Sequence, residues 1–229
     1  MNENNFVFFK NYLVFEAKFA IKQLTIWIQP ILMMSLFIFL SSLILPYTVI
    51  SEIYLAGLII WLNCLCALVL TNDGLIRQEW MEGMWEQYVL WTQPLYLVCL
   101  FKMLWLSVFC FFSVLICIGL ALLAFNLPLA FFIPMALGFG LALPVITAIG
   151  LISSLLMITS QRGAGLLIML ALPLLVPVML LGLIVIEKAY YGESYLPECA
   201  LLLAISFISL LLGPFAASGA VKISLSSGQ

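Results

Sequence analysis

Histidine is absent from this sequence, aspartate occurs once (Asp73), and Asp, Glu, Lys and Arg together make up only 8% of its residues. Each shortage removes a class of chemistry. Without imidazole the chain lacks the commonest metal ligand, the commonest general base and the usual axial ligand of heme iron. An HExxH metalloprotease helix is excluded for the same reason, and a lone aspartate excludes two-aspartate chemistry. There is no GxSxG elbow of a serine hydrolase and no GxxxxGK[ST] phosphate loop. Any ATP-driven work must therefore draw its energy from another subunit. The cysteines (Cys64, Cys66, Cys99, Cys110, Cys117, Cys199) form no CxxC pair, and most lie in apolar runs, where a free thiol behaves as a small hydrophobe. Neither a metal site nor a disulfide framework is expected.

What is abundant is apolar surface, at 66% hydrophobic residues. Soluble domains run at roughly 45–50% apolar and about 25% charged, so this chain must bury its excess in lipid or partners. The net charge of −2 carries no message about partners, and no basic patch points to nucleic acid. Glu16, Lys18 and Lys22 interrupt the first apolar stretch and no small-residue cleavage site follows, so no cleavable signal peptide is expected.

A helix needs about 20 apolar residues to cross the hydrocarbon core. The sequence supplies such runs at about 24–46, 53–70, 103–125, 129–158, 164–186 and 199–219, read together as one transmembrane domain spanning 1–229. The third and fourth are divided only by Asn126-Leu127-Pro128, the best turn signal in a charge-free run from 103 to 161. The expected fold is therefore all-α, a polytopic membrane protein of about six transmembrane helices. Charge asymmetry then sets its orientation. With the N-terminus in the cytoplasm, Lys10, Lys18, Lys22, Arg77, Lys102, Arg162 and Lys222 share the inner side, leaving only Lys188 outside. Both termini are expected to be cytoplasmic.

The inner segment 73–102 is the most informative. On a helix over 79–91, Glu79, Glu82 and Glu86 share one face, while Trp80, Met84, Tyr88 and Trp91 share the opposite one. Gly83 predicts a bend or break in the middle. Interfacial anchoring explains the aromatics, but anchors on an anionic leaflet are basic. A carboxylate face suits a basic protein partner better. Residues 6–22 form a second partly amphipathic stretch, whose Lys18 and Lys22 suit anionic membrane lipid. Glu16 falls on its apolar side. Pro173 and Pro177 in the fifth run, and Pro134 and Pro144 around Gly138 and Gly140 in the fourth, predict kinked helices, a pattern shared by transporters and inert bundles alike. No charge lies in the middle of any run, which leaves a proton relay nothing to run on.

Three stretches carry a family resemblance over essentially the whole chain. They are Glu82-Gly83-Met84-Trp85-Glu86-Gln87 followed by Pro94 and Lys102; Arg162-Gly163-Ala164-Gly165-Leu166-Leu167 with Pro173 and Pro177; and Gly213-Pro214-Phe215-Ala216-Ala217 through Lys222-Ile223-Ser224. In order and spacing they resemble the heme exporter B family of cytochrome c maturation (CcmB), with Glu82 where aspartate is usual and Trp85 where leucine is. Glu16, Lys18 and Lys22 are similar to its N-terminal acidic-then-basic pattern.

The resemblance implies a non-catalytic, type-2-like ABC permease subunit in the bacterial inner membrane. It further implies a partner ABC ATPase docking on the cytoplasmic face, and neighbouring heme-handling subunits that load a periplasmic heme chaperone. No cofactor is expected to be held stably, heme being a transported or handled ligand. The segment 73–93 becomes the coupling segment, with Glu79, Glu82, Gly83, Glu86 and Gln87 as docking or geometry residues. Arg162, Pro173, Pro177 and Pro214 become structural or gating candidates. By analogy a single bundle implies a homodimer under paired ATPases. Two other readings stand beside it: a type-2 permease for another cargo, and a scaffold that assembles neighbours and transports nothing.

Overall fold

The computed structural model describes residues 24–44, 53–90, 94–158 and 164–227, and among them only helices occur. In chain order these are α1 (Leu24–Ile44), α2 (Ile53–Met81), α3 (Met84–Leu90), α4 (Leu95–Ala124), α5 (Phe132–Ile158), α6 (Ala164–Tyr191) and α7 (Leu196–Ser227), with a 3₁₀ turn at Leu129–Phe131. Five helical stretches are long and apolar enough to cross a membrane, within α2, α4, the 3₁₀ turn with α5, α6 and α7; α1 adds a shorter apolar stretch, Ile28–Leu43. The protein is an all-α, multi-pass membrane protein. The expected 6–22 helix and Arg162 lie outside the described residues.

The helices overrun several of the expected boundaries that lie at charges. The second run was read as 53–70, but α2 continues through Asp73 to Met81. Asp73 does not end it because its carboxylate is neutralised within the helix, Oδ2 accepting from Arg77 Nε one turn on at 2.8 Å. Thr71 turns its hydroxyl back onto the Ala67 carbonyl at 2.7 Å. Similarly, α4 begins at Leu95 rather than 103, which places Lys102 inside a helix. Helix α6 runs past Glu187 and Lys188, and α7 past Lys222. Between α4 and α5 the turn falls at Asn126, which takes the left-handed conformation (φ 52°) that asparagine tolerates.

Helix α5 is the centre of the bundle, flanked by α2, α4, α6 and α7, whereas α1 stands at the edge against α2 and α4. Small residues permit this close packing. The Trp61 ring of α2 stacks on Phe139 of α5 with centroids 3.8 Å apart. Its edge fills the space above Gly182 of α6, where a Cβ would come within 2.0 Å of Trp61 Cζ2. Helices α5 and α7 run parallel, stapled by the hydroxyls of Ser206, donating to the Leu141 carbonyl, and Ser224, donating to the Leu155 carbonyl at 2.6 Å. In an apolar setting such side chains satisfy their own polarity by bonding to a neighbouring backbone. Both tagged prolines of the fifth run, Pro173 and Pro177, sit inside an unbroken α6 and are exposed.

These contacts sort the helix ends into two clusters. One end holds the Ser42 hydroxyl on the Ala124 carbonyl (3.1 Å), the Phe131–Tyr190 ring stack and the Lys188–Glu198 ion pair. The opposite end holds the break between α2 and α3, the start of α4 and the end of α7.

Candidate functional site

The inner segment does not form one helix over 79–91. Helix α2 stops at Met81, and α3 restarts at Met84 after a turn at Glu82-Gly83. Gly83 has φ 71°, a left-handed conformation that costs a residue with a Cβ roughly 1–2 kcal/mol. Its N–H donates to the Trp80 carbonyl at 3.0 Å, and that of Glu82 to the Gln78 carbonyl at 3.0 Å, which closes α2. The expected break at Gly83 is thus where the chain turns, and it resets the helical phase.

The break separates the carboxylates. Glu79, expected on the docking face, is buried in α2 and forms an ion pair with Lys102 of α4. Glu82 is exposed, and its Oε1 accepts from Gln78 Nε2 at 3.0 Å. Glu86 and Gln87 are exposed on α3, about two turns long and amphipathic. Its inner side is Met84, Trp85 and Tyr88, all buried, with the Trp85 and Tyr88 rings edge to face at 5.6 Å. Trp85 was not on the expected apolar face, because the left-handed turn rotates everything after it; Trp80, before the turn, is only half-buried, and Trp91 lies outside the described residues. The outward surface of the turn and α3 therefore presents Glu82, Glu86 and Gln87 over a buried aromatic base.

Two of the three resembling stretches meet beside this segment. Gly213, with the buried Pro214 next to it, brings α7 so close to α4 that a Cβ would lie 2.8 Å from Met103 Cε and 3.3 Å from Ala148 Cβ. Phe215 stacks on Tyr96 of α4 at 5.0 Å. Pro214 is thus a buried neighbour of the α4–α5–α7 junction, where Gly213 meets Met103, the residue after the lysine that holds Glu79. Of the second stretch only the backbone from Ala164 onward and some later side chains are described, so Arg162 joins no described contact. Sequence reasoning missed the partners Lys102 and Arg77. The available signal was a lysine eight positions into an apolar helix, where an unpaired charge is too costly to leave alone. Among the described residues no group of three or more Cys, Asp or Glu could hold a metal ion.

The family model described as CcmB protein matches residues 12–224, nearly the full chain. The chain belongs to the CcmB family. Curated relatives named Heme exporter protein B agree. The Pseudomonas aeruginosa protein is 28% identical over 73% of this chain and 75% of its own length. The Bradyrhizobium diazoefficiens protein is 29% identical over 72% and 74%, and that of Haemophilus influenzae 26% identical over 73% and 76%. CcmB membership covers every element described above, from α1 through the Ser224 staple at the end of α7.

Proposed function

We propose that this protein is the membrane permease subunit of an ABC transporter serving heme delivery in c-type cytochrome biogenesis, and that α3 with the preceding turn is where its partner ATPase docks. The observation carrying the docking role is the outward display of Glu82, Glu86 and Gln87 on a short helix anchored by buried Trp85 and Tyr88. Such a surface is rigid from below and anionic above, which fits a basic groove on a soluble partner better than an anionic leaflet. The chain itself acts without catalysis, because ATP chemistry needs a phosphate loop that its sequence does not contain. In this reading the docking end and both termini face the cytoplasm of a bacterial inner-membrane protein, in keeping with the inner excess of Lys and Arg. Two copies stand under paired ATPases, with heme-handling subunits and a periplasmic heme chaperone on the opposite side.

Heme is the cargo of the complex rather than a resident of this bundle. Its centre is filled by Trp61 stacked on Phe139 and closed against Gly182, and no histidine is available to hold iron. The role that fits is remodelling: ATP binding displaces α3, the bundle follows as a rigid body, and a neighbouring subunit releases the loaded chaperone.

The experiment is a deletion of this gene complemented by wild type and by Glu82→Lys with Glu86→Lys, reading covalent c-type cytochrome and chaperone-bound heme. Lost cytochrome with a loaded chaperone is the expected result. An empty chaperone would instead place the subunit in heme supply, and normal cytochrome in the deletion would remove the functional reading altogether.

A further inference from the structure

The docking helix touches the described bundle through only a narrow base. Helix α3 packs against the end of α2 and the start of α4, the two helices it connects. Between those same two helix ends, 23 residues apart in sequence, lies the Glu79–Lys102 ion pair. Its side chains are 1% and 2% exposed, so both charges have left water almost completely. Burying a pair this deeply is a poor way to gain stability, since desolvation offsets most of the attraction and an apolar pair of similar volume often serves as well or better. What a buried, hydrogen-bonded charge pair does supply is a fixed registry between the elements it joins.

From this placement we infer that Glu79 and Lys102 are positioning residues that lock the ends of α2 and α4 together, so that a displacement of α3 moves both as one body. The inference rests on the docking reading of α3 and deepens it. The left-handed turn at Gly83 lets α3 pivot on α2. Without a cross-link, a push on α3 would be absorbed by splaying α2 from α4. With it, the displacement enters the bundle through Lys102 and its neighbour Met103, which lies against Gly213 of α7. Glu79 therefore belongs to the force path behind the docking surface.

The test is made in the intact complex, with three readouts: recovery of the partner ATPase with this subunit, rate of ATP hydrolysis, and c-type cytochrome matured per ATP hydrolysed. The double variant Glu79→Met with Lys102→Met removes both charges while filling the space. It is expected to retain the ATPase but to lower cytochrome per ATP about tenfold, the order of a single lost coupling interaction. The charge-swapped double, Glu79→Lys with Lys102→Glu, is expected to recover most of that loss. Coupling at the wild-type level in the Met pair would overturn the inference, because packing alone would then suffice. Should the Met pair fail to assemble, Glu79→Gln with Lys102→Gln decides by the same criterion. Failure of the docking reading looks different: no ATPase would be recovered with the wild-type protein.

Discussion

The bundle carries an ion pair between helices at each of its ends, and the two are opposite in character. At the end that carries α3, the inner one in the proposed orientation, Glu79 and Lys102 are 1% and 2% exposed. At the outer end Lys188 Nζ and Glu198 Oε1 are 2.7 Å apart, at 30% and 13% exposure, where α6 turns into α7. Water and salt screen the outer pair, so it adds little beyond fixing two flexible side chains in one geometry. The inner pair has no such relief, because both of its charges are buried. Equal chemistry thus marks a tolerant rim at one end and a constrained junction at the other, and the constrained end is the one that carries α3.

The hardest way to break this contrast is Lys102→Met alone. It removes the cation that faces the buried Glu79 carboxylate, a change worth about 3–5 kcal/mol in comparable buried pairs. The subunit is expected to be degraded or to lose its partners, as read by immunoblot of the membrane fraction and by complex recovery. A membrane level equal to wild type would show that the inner end tolerates charge as the rim does.

Next comes a change that disturbs packing between the two ends without touching charge. Gly182→Ala places a Cβ where the Trp61 ring lies. Overpacking of this kind costs about 1–3 kcal/mol, so a lower thermal transition of the purified protein is expected, with docking intact. Glu82→Lys with Glu86→Lys acts on the exposed side of the inner end. Surface substitutions shift stability by roughly 0.5 kcal/mol or less, so insertion is expected to be unchanged while ATP-driven cytochrome maturation is lost. Maturation at wild-type levels would remove these carboxylates from docking. The smallest effect is expected of Lys188→Ala with Glu198→Ala. Complex yield and cytochrome should stay within about twofold of wild type, as for a partly exposed pair, and a larger loss would erase the difference between the ends.

How much of this could be read from residues alone depends on the range of the interaction. The apolar runs, the turn at Asn126 and the break at Gly83 were legible because each is decided within a few residues, by hydropathy or by the backbone freedom of one residue. The surface position of Glu86 followed from local helical spacing. Glu79 did not, because its environment is set by Lys102 on another helix, and Trp85 did not, because a single left-handed residue rotated the face that it occupies. Asp73 misled for a related reason. A charge reads as a span boundary only if it stays in water, and Arg77 one turn away removes that need.

By itself, then, the sequence determined that this is a helical membrane protein, the lack of histidine-dependent chemistry, and the family to which its motifs point. These are sums over local composition, which no fold can alter. Tertiary structure alone decided which carboxylates face outward and which one is locked inside, and that the stretch around Pro214 packs against the helix bearing Lys102. The reason is physical: the cost of a charge is set by what surrounds it, and in a bundle the surroundings come from residues far away in the chain.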